Sequence, residues 1–81
     1  MNSYRVKYRF YDLMPVVIYL PGKNHFDVMD NARSRMTPYD NVCEIVPERV
    51  NKAYMQKKNV QYADDNWKVS DARCQMLRNW N

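Results

Sequence analysis

Near its start the chain alternates without a break: Tyr4, Val6, Tyr8 and Phe10 are interleaved with Arg5, Lys7 and Arg9. Successive side chains of a strand point to opposite faces, so this stretch predicts an apolar, aromatic face backed by a wholly basic one. The strand is expected over residues 3–11. After the connection "DLMP", the β-branched run "VVIYL" at 16–20 reads as a second strand. The link is short, which predicts an antiparallel hairpin. Val16, Ile18 and Leu20 then join the aromatic face, while Val17 and Tyr19 share the outer face with Arg5, Lys7 and Arg9.

"PGKN" ends the second strand, and Asn24 is a good helix N-cap. Asp27, three residues on, is placed for a capping-box-like contact and for the positive end of the helix. Phe26, Met29, Ala32 and Met36 recur at roughly helical spacing with Val28 beside them, and they form the expected buried stripe. Pro38 disfavours a helical Thr37, so the helix stops there. "VCEIV" at 42–46 is a third strand. A helix between strands of a small sheet must bury its stripe on that sheet, which makes one two-layer α+β unit.

Residues 47–60 admit two readings. Pro47 suits a first helical turn, and "ERVNKAYMQKK" contains good helix formers, so a helix is expected from there. The same residues could instead extend the third strand as an edge. "NVQYA" is a loop or a short fourth strand. From Asp65 a terminal helix is expected, with Val69, Ala72, Met76, Leu77 and Trp80 as its stripe and Ser70 capping a shorter version. "NARSRM" and "DARCQM" share an A-R-x-x-M pattern, which two helices packing on one sheet would explain.

The fold class is therefore α+β: a small antiparallel sheet, a β-hairpin plus a third strand, with one or more helices on one face and a C-terminal helix. Eighty-one residues make a single domain over 1–81. Such a short chain buries about two thirds or less of the surface it exposes when unfolded. Seven Tyr, two Trp and two Phe compensate with large buried area per residue. A single Gly, Gly22, argues against serial tight hairpins and against a Gly-rich phosphate loop. The longest apolar run, "LMPVVIYLP", is short and holds Pro15, so neither secretion nor a membrane span is expected.

Catalysis finds little purchase in the residue types. His25 is the only histidine and stands at an expected helix start, where a surface role is the simpler reading. Asp64 and Asp65 are adjacent, which suits helix capping more than paired-carboxylate chemistry. Cys43 and Cys74 are far apart, without metal-ligand spacing, and are expected to be buried, inert thiols. No enzymatic activity, metal or cofactor is expected.

Binding is better supported. The net charge is +4, and it is unevenly spread. Arg5, Lys7, Arg9 and Lys23 outweigh Asp12 in the first 23 residues, and Arg49, Lys52, Lys57 and Lys58 outweigh Glu48 in residues 47–60. The segment between them is acidic. Arg5, Lys7, Arg9 and Tyr19 form one candidate patch for an acidic protein or for nucleic acid, with a merely solvated face as the plain alternative. Lys52, Tyr54, Lys57 and Lys58 form a second. Met76, Leu77 and Trp80 at the C-terminal end are candidates for homodimer contact.

In composition and architecture this Tyr-, Asn- and Met-rich hairpin–helix–strand chain resembles the small accessory proteins of bacteriophages and other mobile elements. That resemblance implies a non-enzymatic binder that blocks a host protein sterically, in the cytoplasm of a bacterial host. Its targets would lie in defence, transcription or nucleic-acid-processing machinery. An RNA- or single-stranded-DNA-binding module using the same residues is the alternative reading, and a self-associating assembly subunit is the third.

Overall fold

The computed structural model describes residues 1–79 and places the opening alternation at the centre of the molecule. β1 (Asn2–Phe10) is flanked by β2 (Val16–Gly22) and β3 (Val42–Val50) in the order β2-β1-β3, antiparallel throughout. Tyr4, Val6 and Tyr8 stand opposite Leu20, Ile18 and Val16 on one side. On the other side they stand opposite Arg49, Pro47 and Ile45. This face is the core, where Tyr4, Val6, Tyr8, Ile18 and Leu20 are buried with Val28, Ala32 and Val69. Each of the aliphatic side chains larger than alanine contributes about 1.5–3 kcal/mol by leaving water.

α1 (His25–Ser34) begins where the sequence indicates. The Asn24 Oδ1 accepts from the Asp27 backbone N–H at 2.9 Å, and the Asp27 carboxylate reaches back to the Lys23 N–H at 3.0 Å. The rotation of the helix differs from expectation. Val28 and Ala32 are buried, whereas Phe26 is 83% exposed. Gly22 supplies the reason: a Cβ there would overlap a Val28 methyl group, so the bare glycine admits Val28 against the strand. Phe26, two residues away and thus about 200° around the helix, is turned outward.

Thr37 to Asp40 close a capped 3₁₀ turn, each bonding to the other's end of the turn. β3 then runs farther than the expected 42–46, through Pro47 to Val50. Pro47 is tolerated because β3 is an edge strand, where a missing donor can face away from the ladder. The helix expected from Pro47 starts instead at α2 (Lys52–Lys58), where the Asn51 Oδ1 accepts from the Tyr54 N–H at 2.7 Å. Both readings of 47–60 were therefore partly right, and the asparagine cap divides them. Asn59, with φ 55°, ends the helix in the left-handed conformation that asparagine tolerates.

"NVQYA" forms no strand, but it covers the β2 edge, with the Ala63 N–H donating to the Tyr19 carbonyl at 2.8 Å. The chain thereby passes from the outer side of the sheet to the core side. Trp67 packs near Tyr8 there, with ring centroids 5.7 Å apart. α3 (Val69–Arg78) starts later than Asp65, tied by the Val69 N–H to the Arg35 carbonyl at 2.8 Å. Asp64 consequently holds a turn, accepting from the Trp67 N–H, and Asp64 and Asp65 do not cap the helix. Ala72 and Met76 are half-buried, while Leu77 is exposed. Trp80 lies outside the described residues.

Both cysteines are exposed, contrary to the expected burial. Cys43 is the extra residue where the β1–β3 register shifts, between Arg9↔Glu44 and Phe10↔Val42. A bulge takes a residue out of strict alternation. Among the described residues no helix is long and apolar enough to cross a membrane.

One end of the sheet is closed by charge. Arg73 of α3 donates two hydrogen bonds to the Asp12 carboxylate, at 2.9 and 2.8 Å, and lies over the Phe10 ring at 5.1 Å. The Arg73 guanidinium bonded to it pulls the Asp12 carboxyl down to about 2. A carboxylate depressed in the fold stabilises it above its ordinary pKa near 4, and that contribution fades as pH falls toward 2. Asp12→Asn is thus expected to flatten the acid dependence of stability between about pH 4 and pH 2, measured by urea denaturation across that range. An unchanged slope would show that the pair carries none of it.

Candidate functional site

The face of the sheet opposite the core is built in rows. Tyr19, Arg5 and Glu48 lie side by side, then Val17, Lys7 and Val46, then Arg9 and Glu44. β3 therefore brings carboxylates into a face that the opening strand alone makes wholly cationic. Arg9 and Glu44 meet at 3.0 Å, both largely exposed, so the pair adds stability of only about 0–1 kcal/mol. Its larger consequence is to occupy Arg9. Lys7 stands between two valines, and among the described residues neither it nor Arg5 has a carboxylate within ion-pair distance.

α2 lies on this same side. Tyr54 approaches Tyr19, with ring centroids 6.4 Å apart at an interplanar angle of 43°. The Tyr62 hydroxyl bonds the Ser3 hydroxyl at 2.6 Å, which explains a serine only 4% exposed on an outer face. Met55 turns inward and is buried. Tyr54 and Lys58 are one turn apart and share a flank of the helix. The Lys58 ammonium sits 5.9 Å from the centre of the Tyr54 ring, a cation–π contact.

The two expected patches thus meet, through part of their members, at the tyrosine pair. Arg5, Tyr19, Tyr54 and Lys58 converge there, with Lys7 alongside. Burial raises the Tyr19 hydroxyl above its ordinary pKa, and the Tyr54 hydroxyl beside it raises it further, while Arg5 pulls the other way.

Not every candidate joins this cluster. Helical spacing puts Lys52 and Gln56 on the opposite flank of α2 from Tyr54. There they line a shallow depression with Met55, Asn59 and Tyr62. Lys52 also borders a second depression with Asn2, Ser3 and Arg49. Lys57 faces solvent away from the buried Met55. Met76 and Leu77 are on α3, which starts from the core-side layer.

His25 is exposed, its ring edge-on to Tyr4 at 5.1 Å. Among the described residues no cluster of three His, Cys, Asp or Glu is placed to hold a metal ion. Sequence reasoning missed Glu44 and Glu48 as members of the outer face. The signal was present in the alternation of "EIVPE", which continues through the proline. No protein-family model, curated protein or solved structure matches the chain.

Proposed function

We propose that the chain is a non-enzymatic binding protein that acts by covering a surface of a larger macromolecule, a host protein in the first instance. Its contact surface is the outer sheet face together with α2. The observation that supports this reading is the meeting of Tyr19 and Tyr54, which joins cationic and aromatic groups from three elements into one patch. Tyrosine and arginine are the residue types that most often carry binding energy when they cluster at the centre of an interface. Steric blockade requires nothing more of the protein than such a surface on a rigid support.

The nucleic-acid reading draws on the same rings and cations, since single strands bind where bases stack on aromatics along a basic groove. Glu44 and Glu48 stand against it, because they border the cationic row and repel phosphate. Assembly through self-association would use half-buried Met76 and exposed Leu77 of α3. A strict monomer by light scattering at two concentrations counts against it.

Affinity purification from the natural host tests the main reading. A tagged chain is compared with the triple variant Arg5→Glu, Lys7→Glu, Lys58→Glu, and with Lys68→Glu as a control on the α3 side. Circular dichroism melts establish that all are folded. The triple variant is expected to lose its retained partner by about tenfold or more, which is 1.4 kcal/mol or more of binding free energy, while the control keeps it. Equal retention by the triple variant would remove this face from the function.

A further inference from the structure

We infer that the element recognised by this surface is an acidic protein segment, one of whose carboxylates seats among Arg5, Tyr19, Tyr54 and Lys58. This rests on the binding reading above and adds the chemistry of the partner.

The cluster draws its members from β1, β2 and α2, so it exists only in the folded chain. Arg5 offers a planar fork that matches a carboxylate, and Lys58 offers a point charge held over an aromatic ring. Beside them stand the Tyr19 and Tyr54 rings, whose centroids are 6.4 Å apart and whose phenols can donate. A guanidinium fork and an ammonium beside two phenol rings suit an anion with two oxygens in a plane.

Lys7 extends the site. It lies two residues from Arg5 on the same face of β1, about 6.6–6.8 Å along the strand. Carboxylates at alternate positions of an extended segment have that same spacing, and those one helical turn apart come close to it. Arg9 does not lengthen the row, since Glu44 holds it at 3.0 Å. The site is therefore short, fitting two or three acidic residues and no long polyanion.

The β3 carboxylates favour protein over nucleic acid. Glu48 is one strand away from Arg5, a spacing of about 4.8 Å. That is well inside the screening length of about 8 Å at physiological salt. A phosphate chain carries charge at every residue and cannot avoid these carboxylates. A polypeptide can place acid over Arg5 and a donor or a cation beside Glu48.

The test uses the full chain, labelled with ¹⁵N, and two fluorescent probes of matched charge. One is a peptide of about twelve residues with Glu at alternate positions; the other is oligothymidylate. The peptide is expected to bind and to shift the amides of Arg5, Lys7, Tyr19, Tyr54 and Lys58. Arg5→Glu and Lys58→Glu should each weaken it about tenfold, and Lys68→Glu about twofold or less. Tyr54→Phe keeps the ring contact and should cost about fivefold, the loss of one hydrogen bond. Oligothymidylate should bind about tenfold more weakly at the same salt.

Oligothymidylate binding as tightly as the peptide through the same residues would overturn the acidic-segment assignment and leave the interface standing. Peptide binding insensitive to Arg5→Glu and Lys58→Glu would overturn it as well. If neither probe moves these amides while the purification still separates the triple variant from the parent, the assignment fails and the binding reading survives. If both experiments are flat, both fall.

Discussion

Tyr8→Ala should cost about 3–5 kcal/mol, the range for truncating a large buried aromatic side chain. Tyr8 lies on the central strand between Val16 and Ile45 and is wholly buried. Its ring faces Trp67, which ties the approach to α3 onto the core, and its hydroxyl donates to the Ala32 carbonyl of α1 at 2.8 Å. One side chain therefore holds the sheet, α1 and the α3 approach together. Domains are stable by about 5–15 kcal/mol, and small ones sit at the low end, so the variant should be largely unfolded in moderate urea.

Tyr8→Phe separates the ring from the hydroxyl, with an expected loss of about 1 kcal/mol by urea denaturation. Burial pushes the Tyr8 hydroxyl up to about 12, against a pull downward from Arg35. A raised pKa of this kind contributes stability that is whole below about pH 10 and is lost as pH climbs toward 12. Tyr8→Phe should abolish that alkaline component. A parent-like alkaline curve in the phenylalanine variant would show that another group is responsible.

Arg35→Ala should be the second most damaging change, at about 3 kcal/mol. Arg35 is 6% exposed, and it is ligated by neutral oxygens and not by a carboxylate. Its Nε donates to Asn31 Oδ1 at 2.9 Å, and its Nη1 donates to the carbonyls of Asp64 at 2.8 Å and Trp67 at 3.1 Å. These bonds clamp the turn before α3 against the C-terminal end of α1, whose dipole favours a cation there. Hydrogen bonds to a charged group are worth about 1.5–3 kcal/mol each, and removal takes this donor from the Trp67 carbonyl while the Asp64 carbonyl keeps only its bond from the Trp67 N–H.

Arg35→Lys should recover little of this, because an ammonium cannot reproduce the fork. Urea denaturation measures the loss. Hydrogen exchange should show it concentrated at the Trp67 and Val69 amides. Arg35→Met at parental stability would mean that desolvating the cation offsets its bonds, and the clamp would then be one of packing alone.

Much of the fold was legible because its signals act over a few residues. The alternation at 4–10, the β-branched run at 16–20 and the Asn24–Asp27 cap each fix a local conformation through sterics or one hydrogen bond. The Thr37–Asp40 capping box and the Asn51 cap are equally local signals, masked in the sequence by the stronger marks of Pro38 and Pro47. The candidate site was legible in its members and not in its assembly. Arg5 and Tyr19 shared a face by parity, but nothing near Tyr54 in sequence marks it as a neighbour of Tyr19.

The sequence by itself determined the hairpin strands, the start of α1 at Asn24, and the division of β1 into an apolar and a basic side. Only the tertiary structure decided the rotation of α1, set by the contact of Val28 with the bare Gly22. It also decided that α2 crosses the outer side of the sheet, that Glu44 occupies Arg9, and that a bulge exposes Cys43. The reason is one of range: backbone preference and capping are settled among neighbours. Register, face and charge pairing are settled where segments distant along the chain compete to be buried.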